Sequence, residues 1–207
     1  MPGYEPFLLC DFHVHTTWSD GRLSIREVVD LYGRTGHFDV IAITDHILMK
    51  RDLLARAARL ASLGRRQFSV SEDRFDAYLA DIGAEAKRAR KLYDLLVIPG
   101  VEITQNHIRS KRNSHIVALN VQRYVGTSQA GRRARRSLGG GESRRPVFGH
   151  QPETLPLRGE QRFSQPKHLY SWKTLLRCEK EWDAIARTLR ANVDVALTLY
   201  RNGSWAA

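Results

Sequence analysis

The stretch Leu8-Leu9-Cys10-Asp11-Phe12-His13-Val14-His15 is an apolar run that ends in two histidines one residue apart. Side chains alternate between the two faces of a β-strand, so positions i and i+2 face the same way. His13 and His15 are therefore predicted to project together from the end of a buried strand. Two neutral imidazoles in this arrangement are typical ligands of a divalent metal. For an isolated His-x-His pair, the alternative is a chance pair on the surface.

Two further apolar runs also lead into histidine or carboxylate residues. Val40-Ile41-Ala42-Ile43 continues into Thr44-Asp45-His46, and Leu95-Leu96-Val97-Ile98 continues through Pro99-Gly100 to Val101-Glu102. Ser19-Asp20-Gly21 adds a carboxylate in a turn after the first run. Strands that alternate with helical segments favour a parallel α/β architecture. Such folds place their active sites at the carboxyl ends of the strands, so a metal site is predicted there.

In this order, the motifs resemble the polymerase and histidinol phosphatase (PHP) family of metal-dependent phosphoesterases. The segments that carry the resemblance are Asp11–Thr17, Ser19–Gly21, Ile43–His46 and Pro99–Ile103. The similarity covers residues 7 to about 124 and a tail near 166–200, whereas the middle of the chain is dissimilar. The resemblance implies a PHP-type distorted (β/α) barrel, which is incomplete here because later strands of the family are not recognisable.

The resemblance also implies a set of metal ligands. These are His13, His15, Asp20, His46, Glu102 and His115. Asp20, His46 and Glu102 would take part in catalysis as well, with Glu102 bridging two ions. Zinc, manganese or iron are the implied cofactors, with up to three ions in intact relatives.

Several of these residues also have simpler explanations. Asp20 would then only shape its turn, Glu102 would form a surface salt bridge, and His115 would be an ordinary strand histidine with its hydrogen bonds satisfied. Asp11 and Asp45 are expected to orient imidazoles from behind. His37, His107, His150 and His168 are expected on the surface.

The implied reaction is hydrolysis of a phosphate ester, with a small phosphorylated molecule or a nucleotide as substrate. Arg22 or Lys50 is a candidate for holding the remaining phosphate charge. Two later ligand motifs of the family, a histidine and an Asp-x-His, are absent from the translated chain. Impaired or absent activity is therefore expected of this polypeptide.

Residues 126–165 form a basic segment of low expected order, with eight arginines against three glutamates. Read from the second base of each codon, residues 155–165 permit the text Phe-Pro-Phe-Val-Ala-Asn-Ser-Asp-Phe-His, which contains the absent Asp-x-His. We therefore hypothesise that this segment is frameshifted. Residues 1–125 then form the N-terminal part of the PHP domain. Residues 166–207 supply its C-terminal helix and strand, with the helix predicted over 170–189.

The net charge of +11 raises the alternative of a basic nucleic-acid-binding module. That alternative is disfavoured because no recognition-helix pattern or basic sheet with interleaved aromatics is present. A non-functional, truncated gene product is the other alternative. Two cysteines form no disulfide framework, and the sequence shows no signal peptide or bilayer-spanning run. A cytoplasmic protein without membrane partners is therefore expected.

Overall fold

The computed structural model describes residues 7–48, 69–106, 113–126, 169–201 and 204. The sequence-based expectations for a helix over 51–64 and for the basic segment after Gly126 lie outside these residues. So do Lys50, His107, His150 and His168. None of the helices in the described part of the chain combines the length and the apolar character needed to cross a bilayer.

The described chain alternates strands and helices. The first half contains β1 (Leu8–Val14), α1 (Ile25–Gly33), β2 (Val40–Ile43), β3 (His46–Leu48) and a 3-10 turn (Glu72–Arg74). It continues with α2 (Phe75–Tyr93), β4 (Leu96–Asn106) and β5 (Asn113–Leu119). The last segment contains β6 (Trp172–Leu176), α3 (Trp182–Ala191) and β7 (Val195–Leu199).

The strands form one mixed sheet in the order β3-β4-β2-β1-β6-β7, with β5 paired to β4. Strands β1, β2 and β4 run parallel, whereas β5 is antiparallel to β4 and β6 is antiparallel to β1. The α/β prediction is confirmed. Over the residues that the structure describes, the sheet is open, so these strands do not close a barrel.

Helices cover both faces of the sheet. Helices α1 and α2 share an apolar cluster with Leu9, Ile41 and Val97. Helix α3 contributes to a second cluster, which contains Leu8, Cys10 and Val40. Because neighbouring residues of a strand point to opposite faces, β1 and β2 are buried on both sides. This double burial explains why their sequences are almost continuously apolar.

The prediction of a single helix over 170–189 is wrong in its first half. Trp172, Leu175 and Leu176 have the spacing of a helical face, but they lie in strand β6. This strand pairs with β1 and with β7, so tertiary pairing overrides the local pattern. The helix itself begins at Trp182.

Tyr78 of α2 hydrogen-bonds to the backbone of two neighbouring strands, β2 and β4, at the edge of the sheet where the histidines lie. Its side chain is fully buried, and its hydroxyl donates to the carbonyl oxygens of Ile43 at 3.3 Å and Gly100 at 3.0 Å. The same hydroxyl accepts the backbone N–H of Asp45 at 3.2 Å. One phenol therefore satisfies backbone groups at the ends of β2 and within β4.

We expect Tyr78→Phe to lower the free energy of unfolding by about 1–3 kcal/mol, because it leaves buried backbone groups without their partner. Tyr170→Phe is the matched control, since Tyr170 is exposed, and we expect a change within about 0.5 kcal/mol. Urea unfolding of both variants measures the difference. Equal stability of the two variants would contradict this role of the Tyr78 hydroxyl.

Candidate metal centre

The six ligands predicted from sequence lie together at the carboxyl ends of the parallel strands. Their ligand atoms form three overlapping groups, and within each group all atoms lie within 4.8 Å of one another. The groups are His13–His15–Glu102, His15–Asp20–His46 and His46–Glu102–His115. They come from β1, the turn after β1, β3, β4 and β5. The topology therefore brings residues 13 and 115 to one place.

The carboxylate of Glu102 is the centre of this arrangement, and only 3% of its side chain is exposed. Its Oε2 lies 3.0 Å from His13 Nε2, 2.9 Å from His15 Nε2 and 3.3 Å from His46 Nδ1. Its Oε1 contacts His115 Nδ1. Burial alone would raise the pKa of Glu102, but hydrogen bonds from His115, His13 and His15 hold it well below its usual range. Glu102 is thus a buried carboxylate that stays ionised.

The ring nitrogens of the first two histidines face each other. His13 Nε2 and His15 Nε2 are 2.9 Å apart, and both also approach the same oxygen of Glu102. Two imidazole nitrogens adopt this arrangement when a proton lies between them or when both bind one cation. Two imidazoles and one carboxylate are also a common donor set for zinc and similar divalent ions. The residues present therefore fit a divalent metal.

Two imidazoles of the cluster have opposite charge preferences. Burial would lower the pKa of His15, but hydrogen bonds to Asp20 and Glu102 outweigh it and raise this pKa to about 9. Burial, followed by the nearby charge of His15, lowers the pKa of His46 to about 4. These shifts favour the protonated form of His15 and the neutral form of His46, and the neutral imidazole is the form that ligates metals.

Asp20 serves the cluster with both carboxylate oxygens. Its Oδ1 accepts a hydrogen bond from His15 Nδ1 at 2.9 Å, and its Oδ2 lies 3.8 Å from His46 Nε2. The bond to Nδ1 directs His15 Nε2 toward Glu102. This is the carboxylate–histidine pairing that fixes the orientation of many metal-binding imidazoles.

Asp45 holds the turn that carries Asp20. The carboxylate is fully buried and accepts hydrogen bonds from Thr16 N at 2.8 Å, Thr16 Oγ1 at 2.7 Å and Ser19 Oγ at 2.5 Å. Burial raises the pKa of Asp45 in spite of these bonds. Sequence reasoning expected Asp45 to orient an imidazole; in the structure its contacts fix the backbone and side chains of the turn.

Sequence reasoning missed the roles of Thr16 and Ser19. The only available signal was their hydroxyl groups beside Asp20 in a turn, which is common in loops without a site. Among the other predicted positions, Arg22 is exposed, and His37 pairs with Tyr200 at 2.9 Å, away from the three groups.

Comparisons with known proteins identify a structure with a similar fold. No family model and no curated protein matches the chain. The chain is similar to the crystal structure of a two-domain protein from Bacteroides vulgatus that contains a predicted PHP-like metal-dependent phosphoesterase. The two share 17% sequence identity at a TM-score of 0.53, over 97% of this chain and 67% of the other. At this identity the similarity is one of fold.

We expect Gly21→Ala to displace the turn after β1, because the added Cβ would lie 2.6 Å from His15 O and Thr16 N. The variant should lose about 1–3 kcal/mol of unfolding free energy and should bind metal more weakly. Gly83→Ala is the control, since an added Cβ there would meet no atom within 4 Å beyond its own stretch of helix, and it should be as stable as the wild type or more so. Thermal unfolding and metal titration provide the comparison. An unperturbed Gly21→Ala chain would contradict the close packing of this turn.

Proposed function

We propose that this chain is a PHP-type metal-dependent phosphoesterase that hydrolyses the phosphate ester of a small molecule or a nucleotide. The observation that carries the proposal is the buried, ionised Glu102 carboxylate with four imidazoles around it. The fold similarity to a protein that contains a predicted PHP-like phosphoesterase supports it. The reaction itself is an inference from the donor set and this similarity.

Glu102 would be shared between two metal positions. His13 and His15 would complete one of them, and His46 and His115 would complete the other. Asp20 would hold His15 and would present its second oxygen beside His46. A bound divalent ion, whether zinc, manganese or iron, supplies Lewis acidity toward phosphate oxygens.

The burial of the ligands indicates from which side a substrate would enter. The side chains of His13 and His115 are 38% and 48% exposed, whereas His15 and Glu102 are buried. A phosphate group would therefore approach past His13 and His115. The buried side chains of His15 and Glu102 would close the opposite side of the centre and exclude water from it.

The charge distribution favours a small substrate over a nucleic acid. The basic excess of residues 126–165 lies in the sequence outside the segments that carry the ligand motifs. Arg22 is exposed one residue after Gly21 and remains our candidate for contact with the phosphate that is hydrolysed. The two family motifs missing from the sequence would supply further ligands, so we expect slow turnover.

Metal content tests the proposed centre directly. We expect the purified chain to retain about two equivalents of a divalent ion after loading and desalting, since Glu102 belongs to two ligand groups. Glu102→Gln should weaken binding by roughly 10-fold or more, because it removes the shared negative charge. Glu85→Gln is the control, as Glu85 is also buried but pairs with Arg26 and Arg88. Equal metal content in both variants would contradict the assignment.

Hydrolysis of para-nitrophenyl phosphate tests the reaction. We expect slow hydrolysis that a chelator abolishes and that manganese or zinc restores. Glu102→Gln should reduce this rate to background, whereas Glu85→Gln should retain it. A folded chain that binds metal without any phosphatase activity would refute the proposed reaction but leave the metal centre standing. Salt-sensitive binding to DNA would instead favour the nucleic-acid alternative.

A further inference from the structure

Lys173 is a buried cation one strand away from the candidate metal centre. Only 2% of its side chain is exposed. Its ammonium group forms an ion pair with Asp11 and donates a hydrogen bond to Ser171 Oγ at 2.9 Å. The rings of Tyr32 and Phe38 lie 6.0 and 5.9 Å from Nζ. Burial of a lysine is costly unless its charge is compensated, so the pair with Asp11 is what makes this position tolerable.

The sheet topology sets this ion pair beside the metal-binding strand. β6 runs antiparallel to β1, with Cys10 opposite Thr174. Lys173 therefore comes next to Asp11, which precedes His13 by two residues. The sequence distance between the paired groups is 162 residues, so no local motif could have shown the contact.

Asp11, which pairs with Lys173, also hydrogen-bonds to the backbone of His13. Its Oδ1 accepts the His13 N–H at 3.2 Å, and its Oδ2 accepts the hydroxyl of Tyr32 at 2.7 Å. The register between β1 and β2 shifts between Asp11 and Val14, so His13 lies in an irregular part of the strand. Where the regular ladder of strand hydrogen bonds is interrupted, a side-chain hydrogen bond to the backbone contributes more to fixing the conformation of the chain than it would in a regular strand.

We propose that Lys173 is a positioning residue for the metal centre. By holding Asp11, it fixes the backbone of His13 and thereby keeps the imidazole of His13 against Glu102. The inference rests on the proposed metal site for its effect on binding. Its structural step, from Lys173 through Asp11 to the His13 N–H, is testable without metal.

Amide hydrogen exchange of the metal-free chain tests the structural step. We expect Lys173→Met to reduce protection of the His13 amide by roughly 10-fold or more, while amides in the centre of α2 keep theirs. Lys180→Met is the control, because Lys180 also forms ion pairs, with Asp39 at 3.1 Å and Asp94 at 2.7 Å, and Asp39 accepts the N–H of Leu9, four residues before His13. Unchanged protection of His13 in Lys173→Met would overturn the proposal, whether or not the wild type binds metal.

A second pair of variants keeps the test valid if Lys173→Met does not fold. Tyr32→Phe removes only the hydroxyl that donates to Asp11, and we expect a smaller loss of His13 protection, about 3-fold. Tyr93→Phe, which removes a 2.9 Å bond from α2 to Asp30 of α1, should leave His13 protected. Equal protection in these two variants would also contradict the proposal.

Metal titration separates positioning from a general loss of stability. We expect Lys173→Met to weaken metal binding by about 10-fold, and Lys180→Met to leave it within about 2-fold. In a His13→Ala background, Lys173→Met should have little further effect, because both changes act on the same ligand. Additive losses would mean that Lys173 acts elsewhere. A wild-type chain that binds no metal would refute the proposed function, while the exchange measurement would still decide the structural step.

Discussion

The burial of the Glu102 carboxylate is the constraint on which the rest of this structure depends. A carboxylate taken out of water costs several kcal/mol unless charged or hydrogen-bonding partners replace the solvent. Here the partners are imidazoles from β1, β3 and β5, so four strands must be in register for the group to be tolerated. The same arrangement suits the site to a metal cation. Imidazoles that surround the Glu102 carboxylate are also placed to bind a cation that the carboxylate binds.

Two kinds of support keep these strand ends together. Tyr78 joins the backbone of β2, at Ile43 O, to that of β4, at Gly100 O, from the helix side. Asp45 holds the turn after β1 in place by accepting hydrogen bonds from Thr16 and Ser19. Neither residue belongs to the three ligand groups, yet both bond to the backbone within one or two residues of a ligand. These two residues therefore support the site partly through main-chain atoms next to the ligands.

Much of this architecture could be predicted from the sequence. The apolar runs at β1, β2 and β4 are buried on both faces, and such strands have a clear local pattern. Five of the six candidate ligands follow these runs, so their meeting place was predictable once the strands were recognised as parallel, whereas His115 lies on β5 and was identified through the family resemblance. That they bind metal remains a prediction. Strand β6 was missed because its apolar spacing also fits a helix, and only its pairing with β1 and β7 decides between the two.

The parts that sequence reasoning missed share one physical property, which is that their partners are far away in the chain. Thr16 and Ser19 acquire their role only through hydrogen bonds to Asp45, which follows β2. Lys173 acquires its role only because β6 pairs with β1. A motif describes residues whose spacing is set by one element of secondary structure. The supports of a site depend instead on how elements pair, and pairing is decided by the total burial of the sheet. For this reason the ligands of the centre can be recognised from short motifs, whereas the residues that hold them in position become visible only in the fold.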